Sequence, residues 1–396
     1  MLTQVKDNVF YTGIRDWELR LFHGHELSTF NGSSYNSFLI RDDKTVLIDT
    51  VWKPHTDTFI ETLEAEVGIA NIDMVIVNHN EPDHGGGLIA LLERNPNIEV
   101  VCSVKGVDVI KKHFDHPNWN FHPVKTGDVI HIGKADLTFV EMTMIHWPDS
   151  MMTFMSGTNI LFSNDAFGQH FYGQSIFADQ VDSCLVWAEA FKYFASILAP
   201  FTPLIKRKVA EVVALNLPLE MIAPSHGVIW RKDILKIVEK YAEWSEEYHE
   251  GCVTVAYDTM YGATKRMAEA IAKGIEDSGV PVKLYNTATS DQSDLITEFF
   301  RSKGIVLGSC TVNNGALRSL AGVVDEIRGH KLKGKIGFTF GSHGWSGEAP
   351  KHLQQDLGKA GIQIVQEPVT AQYTPSTEEL AACYQAGIAF AKKILE

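Results

Sequence analysis

The chain has 396 residues, of which 45% are hydrophobic, and a formal net charge of −14. That length exceeds one ordinary domain and predicts two or three, with apolar residues enough for separate cores. Its acidic balance excludes a nucleic-acid partner, because phosphate binding needs clustered Lys and Arg.

From the N-terminus, Lys6 and Asp7 come too early for a signal segment, and the apolar stretch 194–205 is short and broken by proline. Neither secretion nor a membrane span is therefore expected. The next 240 residues carry strand-like runs at 9–12, 37–40, 45–49, 72–77, 99–102, 129–132, 137–145, 159–163 and 219–223. Helical stretches are expected at 56–66, 88–93, 188–215 (broken by Pro200 and Pro203) and 233–248. This mixture predicts a sheet-on-sheet core with outer helices. Near residue 250 the rhythm changes. Strands at 252–256, 282–285, 304–308, 336–340 and 362–364 alternate with helices at 265–274, 317–328, 350–360 and 378–395. Such alternation describes a doubly wound parallel sheet.

Five cysteines, Cys102, Cys184, Cys252, Cys310 and Cys383, are scattered with no C-x-x-C. A rubredoxin-type iron site, an iron–sulfur cluster and a Cys-rich zinc site are excluded, and a reducing compartment, the cytoplasm, is expected.

Seven potential metal ligands follow strand-like runs in the first part: His79, Glu81, Asp83, His84, His146, Asp165 and His226. Side chains at the tips of neighbouring strands can converge on one point. The run His79-Asn-Glu-Pro-Asp-His84 can serve two adjacent ions, His79 and Glu81 on one, Asp83 and His84 on the other. Asp165 is suited to bridge them, His146 and His226 to complete one each. Gly85-Gly-Gly87 allows tight turns beside the loop. Four imidazoles and three carboxylates suit iron or manganese, and zinc fits the chemistry too. His84 is the member that can swing away in favour of water. Other histidines, such as His113, His116, His122 and His330, read as structural.

In the second part, Thr259, Met260, Tyr261, Gly262, Ala263 and Thr264 link a strand to a helix, where backbone N–H groups and the threonine hydroxyls can cradle one phosphate. No G-x-x-x-x-G-K-[ST] or G-x-G-x-x-G occurs, which weighs against a nucleoside triphosphate or NAD. Two further loops follow later strands, one with Ser309, Thr311, Val312, Asn313, Asn314 and Gly315, the other with Gly341, Ser342, His343, Gly344, Trp345 and Gly347. Trp345 or Tyr261 can stack on a flat ring, so flavin mononucleotide (FMN) is the expected occupant.

Across essentially its whole length the chain resembles the flavodiiron protein family. The likeness rests on His79-x-Glu-x-Asp-His84, His146-Trp-Pro-Asp-Ser150, Asn164-Asp-Ala-Phe-Gly-Gln-His170, Pro224-Ser-His-Gly227 and Tyr257-Asp-Thr-Met260. It implies an α/β chain with an αββα, metallo-β-lactamase-like di-iron domain at 1–250 and a flavodoxin-like FMN domain at 251–396. It also implies reduction of O2 to water, NO to nitrous oxide, or both, at a non-haem di-iron centre fed by FMN.

By the same resemblance, His23 and Tyr193 are expected beside the open face of the metals as hydrogen-bond donors to a bound diatomic, with His25 and Trp147 in the pocket wall. Subunits are expected head to tail, as a homodimer or a dimer of dimers. The segments Gly32-Ser-Ser-Tyr-Asn36 and Phe340-Gly-Ser-His-Gly-Trp-Ser-Gly347 resemble the flavorubredoxin type of nitric oxide reductase. The chain ends at Glu396 with no rubredoxin extension, so a separate rubredoxin or similar small carrier is the expected donor.

Two rivals are a zinc hydrolase with an appended flavodoxin domain and an electron carrier with a vestigial metal domain. Glu81, the intact ligand set and the redox domain weigh against them.

Overall fold

The computed structural model describes residues 2–115 and 118–396, so His116 lies outside the described residues. Packing divides the chain less simply than one cut near residue 250. The first compact unit holds the stretch up to Phe22, Thr29–Tyr193 and Phe201–Glu243, and the second holds His23–Ser28, Phe194–Pro200 and Trp244–Glu396. The excursion at His23–Ser28 is tied down by hydrogen bonds from Ser28 to Ser293 and Asp291. No local pattern announces contacts of that sequence separation.

Two sheets form the first unit. One runs in the order Thr3–Lys6, Val9–Tyr11, Phe38–Arg41, Thr45–Ile48, Met74–Val77, Glu99–Ser103 and Asn120–Val124. It is antiparallel as far as Thr45–Ile48 and parallel thereafter. The other runs Val129–His131, Asp136–Glu141, Met151–Met155, Ile160–Asn164 and Met221–Pro224, with only the last pair parallel. Alternate residues of both sheets, among them Phe38, Ile40, Val46, Ile48, Met74, Ile76, Phe139, Met151 and Phe162, make one core. Burying such a side chain contributes about 1.5–3 kcal/mol. The intervening residues Leu39, Leu47 and Val75 are fully buried as well, because helices cover the outer face. Hence these strands read as unbroken apolar runs. Helix Thr56–Glu66 spans the predicted range and buries Phe59, Ile60 and Leu63.

Two expectations are corrected here. The strand expected at 137–145 ends at Glu141, and His146 stands in a loop. In that loop Met142 N donates to Ser150 O and Ile145 N to Met142 O, which turns the chain before the next strand. The helix expected at 188–215 is three pieces: Ser183–Tyr193, a wider turn at Phe194–Leu198 with a tighter one at Ala199–Phe201, and Thr202–Ala214. Pro200 and Pro203 remove the donors a continuous helix needs. By length and composition Ser183–Ala214 is the one helical stretch among the described residues apolar enough to cross a membrane, and half of its most apolar window is buried within the fold.

The second unit is a parallel sheet in the order Val282–Asn286, Glu250–Asp258, Ser302–Ser309, Ile336–His343, with Gln363–Ile364 and Val369–Gln372 both pairing to the last. Helix Gln292–Arg301 and strand Val369–Gln372 are elements the sequence patterns did not separate from loop. The order of strands reverses direction between Glu250–Asp258 and Ser302–Ser309. A crevice for a ligand opens beyond the carboxyl ends of strands at such a switch point.

Candidate metal centre and cofactor cleft

The seven expected donors meet at the strand tips of the first unit. His79 follows Met74–Val77, and Glu81 leads into the single turn Pro82–Gly85 that carries Asp83 and His84. Beside that turn a Cβ on Gly86 would stand 2.5 Å from Lys53 N and 2.7 Å from Pro82 O, so the loop closes only around glycine. Asp165 and His226 each follow a strand of the other sheet, and the pairing of Asn164 with Pro224 sets them side by side. Asn164 has φ 53, a left-handed conformation that asparagine tolerates, and its amide donates to Ser225 Oγ.

Two groups of donors result, His79, Glu81, His146 and Asp165 in one, Asp83, His84 and His226 in the other. Asp165 joins them. Its Oδ2 lies 3.2 Å from His146 Nε2 and 3.7 Å from His79 Nε2, while its Oδ1 lies 3.0 Å from His84 Nε2 and 3.7 Å from His226 Nε2. Glu81 stands 3.2 Å from His79 Nε2 and 3.3 Å from His146 Nε2. Asp83 stands 3.0 Å from His226 Nε2 and 3.4 Å from His84 Nε2. Donors roughly 2.1 Å from a shared ion stand about 3–3.5 Å from one another, and all these distances but the two of 3.7 Å fall in that range.

Electrostatics agree. Both Asp165 oxygens, Asp83 Oδ1 and both ring nitrogens of His84 are buried without a hydrogen-bond partner. Buried polar atoms are nearly always satisfied, so donors converging in this way fit a pair of cations. Burial would raise the Asp165 pKa, yet His84, His146 and His79 hold it well below the carboxylate range. Burial would lower His84 and His146; Asp83 and Asp165 push the first up to about 9, and Asp165 and Glu81 do the same for the second.

Behind these groups stand residues that sequence reasoning missed. His79 Nδ1 faces both oxygens of Asp149, which also accepts from Asn80 N. His226 Nδ1 lies 2.6 Å from Ser34 O. In each case the distal nitrogen is engaged and Nε2 is left for the cluster, the arrangement that fixes a ligand's tautomer and direction. His170 packs 4.8 Å from the His226 ring. The run His146-Trp-Pro-Asp149 was the one available signal for Asp149, and Gly32-Ser-Ser-Tyr-Asn36 the one for Ser34, whose role comes from its backbone carbonyl rather than its side chain.

Tyr193 is buried, its ring 5.1 Å from His170 and 6.2 Å from His226. Burial pushes its phenol well up, and the Asp165, Asp83 and Glu81 carboxylates add to the effect. Trp147 packs 5.1 Å from the His79 ring. His23 and His25 are exposed and belong to the second unit, where His23 lines a 70 Å³ cavity with Ser196, Ser293, Glu326 and His330. Contact with that unit's residues, invisible in the local sequence, decides the placement of His23.

At the carboxyl ends of the second unit's strands lies a 630 Å³ cleft. Of the expected residues, Thr259, Met260, Tyr261, Ala263, Thr311, Val312, Asn313, Asn314, Ser342, His343, Gly344 and Trp345 line it. Cys310, Ser346, Tyr373 and Thr374 line it too and were missed. The last two follow a strand not recognised in the sequence. Thr259 Oγ1 accepts from Gly262 N, immediately before helix Ala263–Asp277, so helix N–H groups and a hydroxyl face one place. Thr264 is fully buried and shares its hydroxyl with Ser342, so it ties two loops together and does not line the cleft. Ser309 acts similarly, accepting from Leu317 N. Gly262, Gly315, Gly341 and Gly347 shape the loops without lining the cleft, the first and last at φ 84 and φ 79. Tyr261 and Trp345 are 93% and 87% exposed, an open aromatic pair that fits a planar ring bound between them.

The sequence model described as ODP family beta lactamase matches residues 34–227, and the flavodoxin model matches 255–387. The anaerobic nitric oxide reductase flavorubredoxin of Klebsiella pneumoniae is 46% identical over 97% of this chain and 80% of its own length. That of Aeromonas hydrophila is 46% identical over 99% of this chain and 80% of its own length. The chain belongs to the flavodiiron protein family. Among solved structures, rubredoxin oxygen:oxidoreductase from Desulfovibrio gigas superposes with a TM-score of 0.97 at 31% identity, covering 100% of this chain and 99% of that one. The flavodiiron protein from Giardia intestinalis gives 0.95 at 31% identity, covering 100% and 97%. The first unit thus has the metallo-β-lactamase-like fold and the second the flavodoxin fold. Flavodiiron membership brings with it FMN and a non-haem di-iron centre as cofactors.

Proposed function

We propose that this flavodiiron chain is an oxidoreductase that reduces O2 to water, NO to nitrous oxide, or both, with a di-iron domain over 1–250 and an FMN domain over 251–396. The observation that carries the proposal is Asp165, whose two oxygens face two separate groups of imidazole and carboxylate donors. His79, Glu81, His146 and Asp165 would hold one iron, and Asp83, His84, His226 and Asp165 the other. When bound, the two irons supply electrons together to a small diatomic gas, and FMN replaces those electrons.

The residues do the rest. Asp149 and Ser34 O hold His79 and His226 in the tautomers that present Nε2. Phe22, Tyr35, Trp147 and Tyr193 wall the cluster with apolar or weakly polar surface, which limits water near it. Both reductions consume protons, so a donor must face the centre, and Tyr193 is that donor. Thr259 and the N-terminus of helix Ala263–Asp277 would take the FMN phosphate, and Tyr261 and Trp345 would stack on its ring.

The electron donor is rubredoxin or a similar small carrier, and subunits pair head to tail as a homodimer or dimer of dimers. Unpaired cysteines fit a cytoplasmic location. Glu81 and the flavin cleft disfavour the zinc hydrolase and the vestigial electron carrier. Elemental analysis, followed by side-by-side measurement of O2 and NO consumption with a rubredoxin donor, tests the proposal. Two irons and one FMN per chain with turnover of either gas are expected. Zinc with esterase activity, or flavin without iron, would overturn it.

A further inference from the structure

One histidine of the second unit stands between two backbone carbonyl oxygens. His330 closes helix Arg318–His330, with Nδ1 2.8 Å from Glu326 O on its own helix and Nε2 3.1 Å from Ser196 O in the wide turn Phe194–Leu198. Helix and turn both belong to this unit, although the two residues are 134 positions apart in the chain. A carbonyl oxygen only accepts, so each of these bonds needs an N–H from the ring. Neutral imidazole has one N–H and would turn the lone pair of its other nitrogen against an oxygen. Both bonds form together only in the imidazolium.

The groups around the ring favour that charge. Glu326 Oε2 lies 3.5 Å from Nδ1. The ring also sits in the last turn of its helix, where the carbonyl ends of the peptide dipoles stabilise a cation. His330 lines a 70 Å³ cavity, and the excursion His23–Ser28 brings Glu26 and His23 to the same space. The Glu26 carboxylate supports a positive His330, and His23 opposes it when itself charged. Helix Gln292–Arg301 and the turn bring only uncharged side chains to the cavity. The cavity has room for water, so the ring, with its side chain 11% exposed, can exchange its proton with solvent.

We infer that His330 is a proton-operated latch. As imidazolium it fastens the turn Phe194–Leu198 to the end of helix Arg318–His330, and on losing a proton it lets the turn loosen. The proton passes to water, the ring keeps one N–H, and one of the two carbonyls is left facing a lone pair. Histidine is the side chain that ordinarily changes charge between about pH 5 and 8, so the latch is closed at the acid end of that range and open at the alkaline end. The turn begins one residue after Tyr193, so the latch sets how firmly the chain is held just beyond that residue. Nothing in it depends on which gas the protein reduces.

Hydrogen exchange read by mass spectrometry tests this on the full-length holoenzyme, across that pH range and corrected for the intrinsic exchange rate. In the parent, protection of the Phe194–Leu198 amides should fall about tenfold toward the alkaline end, the scale of one lost hydrogen bond to a charged group. His330→Gln carries no charge at any of these pH values. Its turn should be weakly protected throughout, with no pH dependence, while the strand Val282–Asn286 and the FMN content stay parental. His23→Gln should keep the parental pH dependence, because His23 shares the cavity but not the two bonds. A parent turn equally protected across the range overturns the latch, and needs no variant to do so. So does a pH dependence that survives in His330→Gln or vanishes in His23→Gln.

Discussion

Asp149 sets the direction of His79: both of its carboxylate oxygens lie 3.2 Å from His79 Nδ1, leaving Nε2 toward the metal-binding groups. Burial would raise the Asp149 pKa, but His79 and the Asn80 N–H lower it from the usual carboxylate value, so Asp149 carries a negative charge. Asp149→Asn keeps the shape and removes the charge. Iron affinity should fall roughly 10–100-fold, as is usual when the partner of a ligating histidine is lost. Titration of metal-free protein with ferrous iron checks this, with unchanged FMN binding as the control.

Asp165 serves both donor groups at once, and no other side chain in the cluster does. Asp165→Ala is expected to abolish reduction of both gases and to leave less than the full iron complement. The flavin should stay, because its cleft is lined by other elements entirely. Visible spectra and elemental analysis of one preparation read both outcomes.

Gly341 has no room for a side chain: an added Cβ would stand 2.0 Å from Ser309 O and 2.8 Å from Pro350 Cγ. Those atoms belong to the end of the strand Ser302–Ser309 and the start of the helix Ala349–Lys359, which adjoin two of the cleft loops. Gly341→Ala must push these elements apart, at a cost of about 1–3 kcal/mol. FMN release should become faster, and fluorescence of the freed flavin measures it.

Lys335 is a buried cation whose Nζ donates to Tyr248 O and Phe300 O, both at 2.6 Å. Burial lowers its pKa from 10.5 to about 7. Between those two values the unfolded chain holds a proton that the folded chain has released. This group therefore makes the fold more stable as pH rises from about 7 toward 10.5, with a slope up to about 1.4 kcal/mol per unit. Below pH 7 both states are protonated, and the effect of burying the charge is fully unfavourable. Lys335→Met should flatten that part of the stability–pH curve, measured by denaturant unfolding at several pH values.

Much of the site was legible because its donors sit at strand tips within short runs. His79 through His84 span six positions, and a strand end holds such a loop in place wherever the rest of the chain goes. The parallel sheet of the second unit was legible for a related reason, since regular strand–helix alternation admits few topologies. The loop position of His146 was not, because an apolar run ahead of it looks the same whether it ends at Glu141 or at Ile145. Tyr373 and Thr374 escaped because the strand Val369–Gln372 is short and only partly buried, leaving weak alternation to read.

Residue types and spacing by themselves determined which groups can bind two metals and a flavin, since ligand chemistry depends on the side chain and local loops on glycine, proline and asparagine. Only tertiary structure decided that Asp165 faces both donor groups, that Asp149 and Ser34 orient two histidines, and that His23 packs among residues of the second unit. Those relationships join positions far apart in the chain, and they exist only once sheet pairing and core packing have brought the strand ends together.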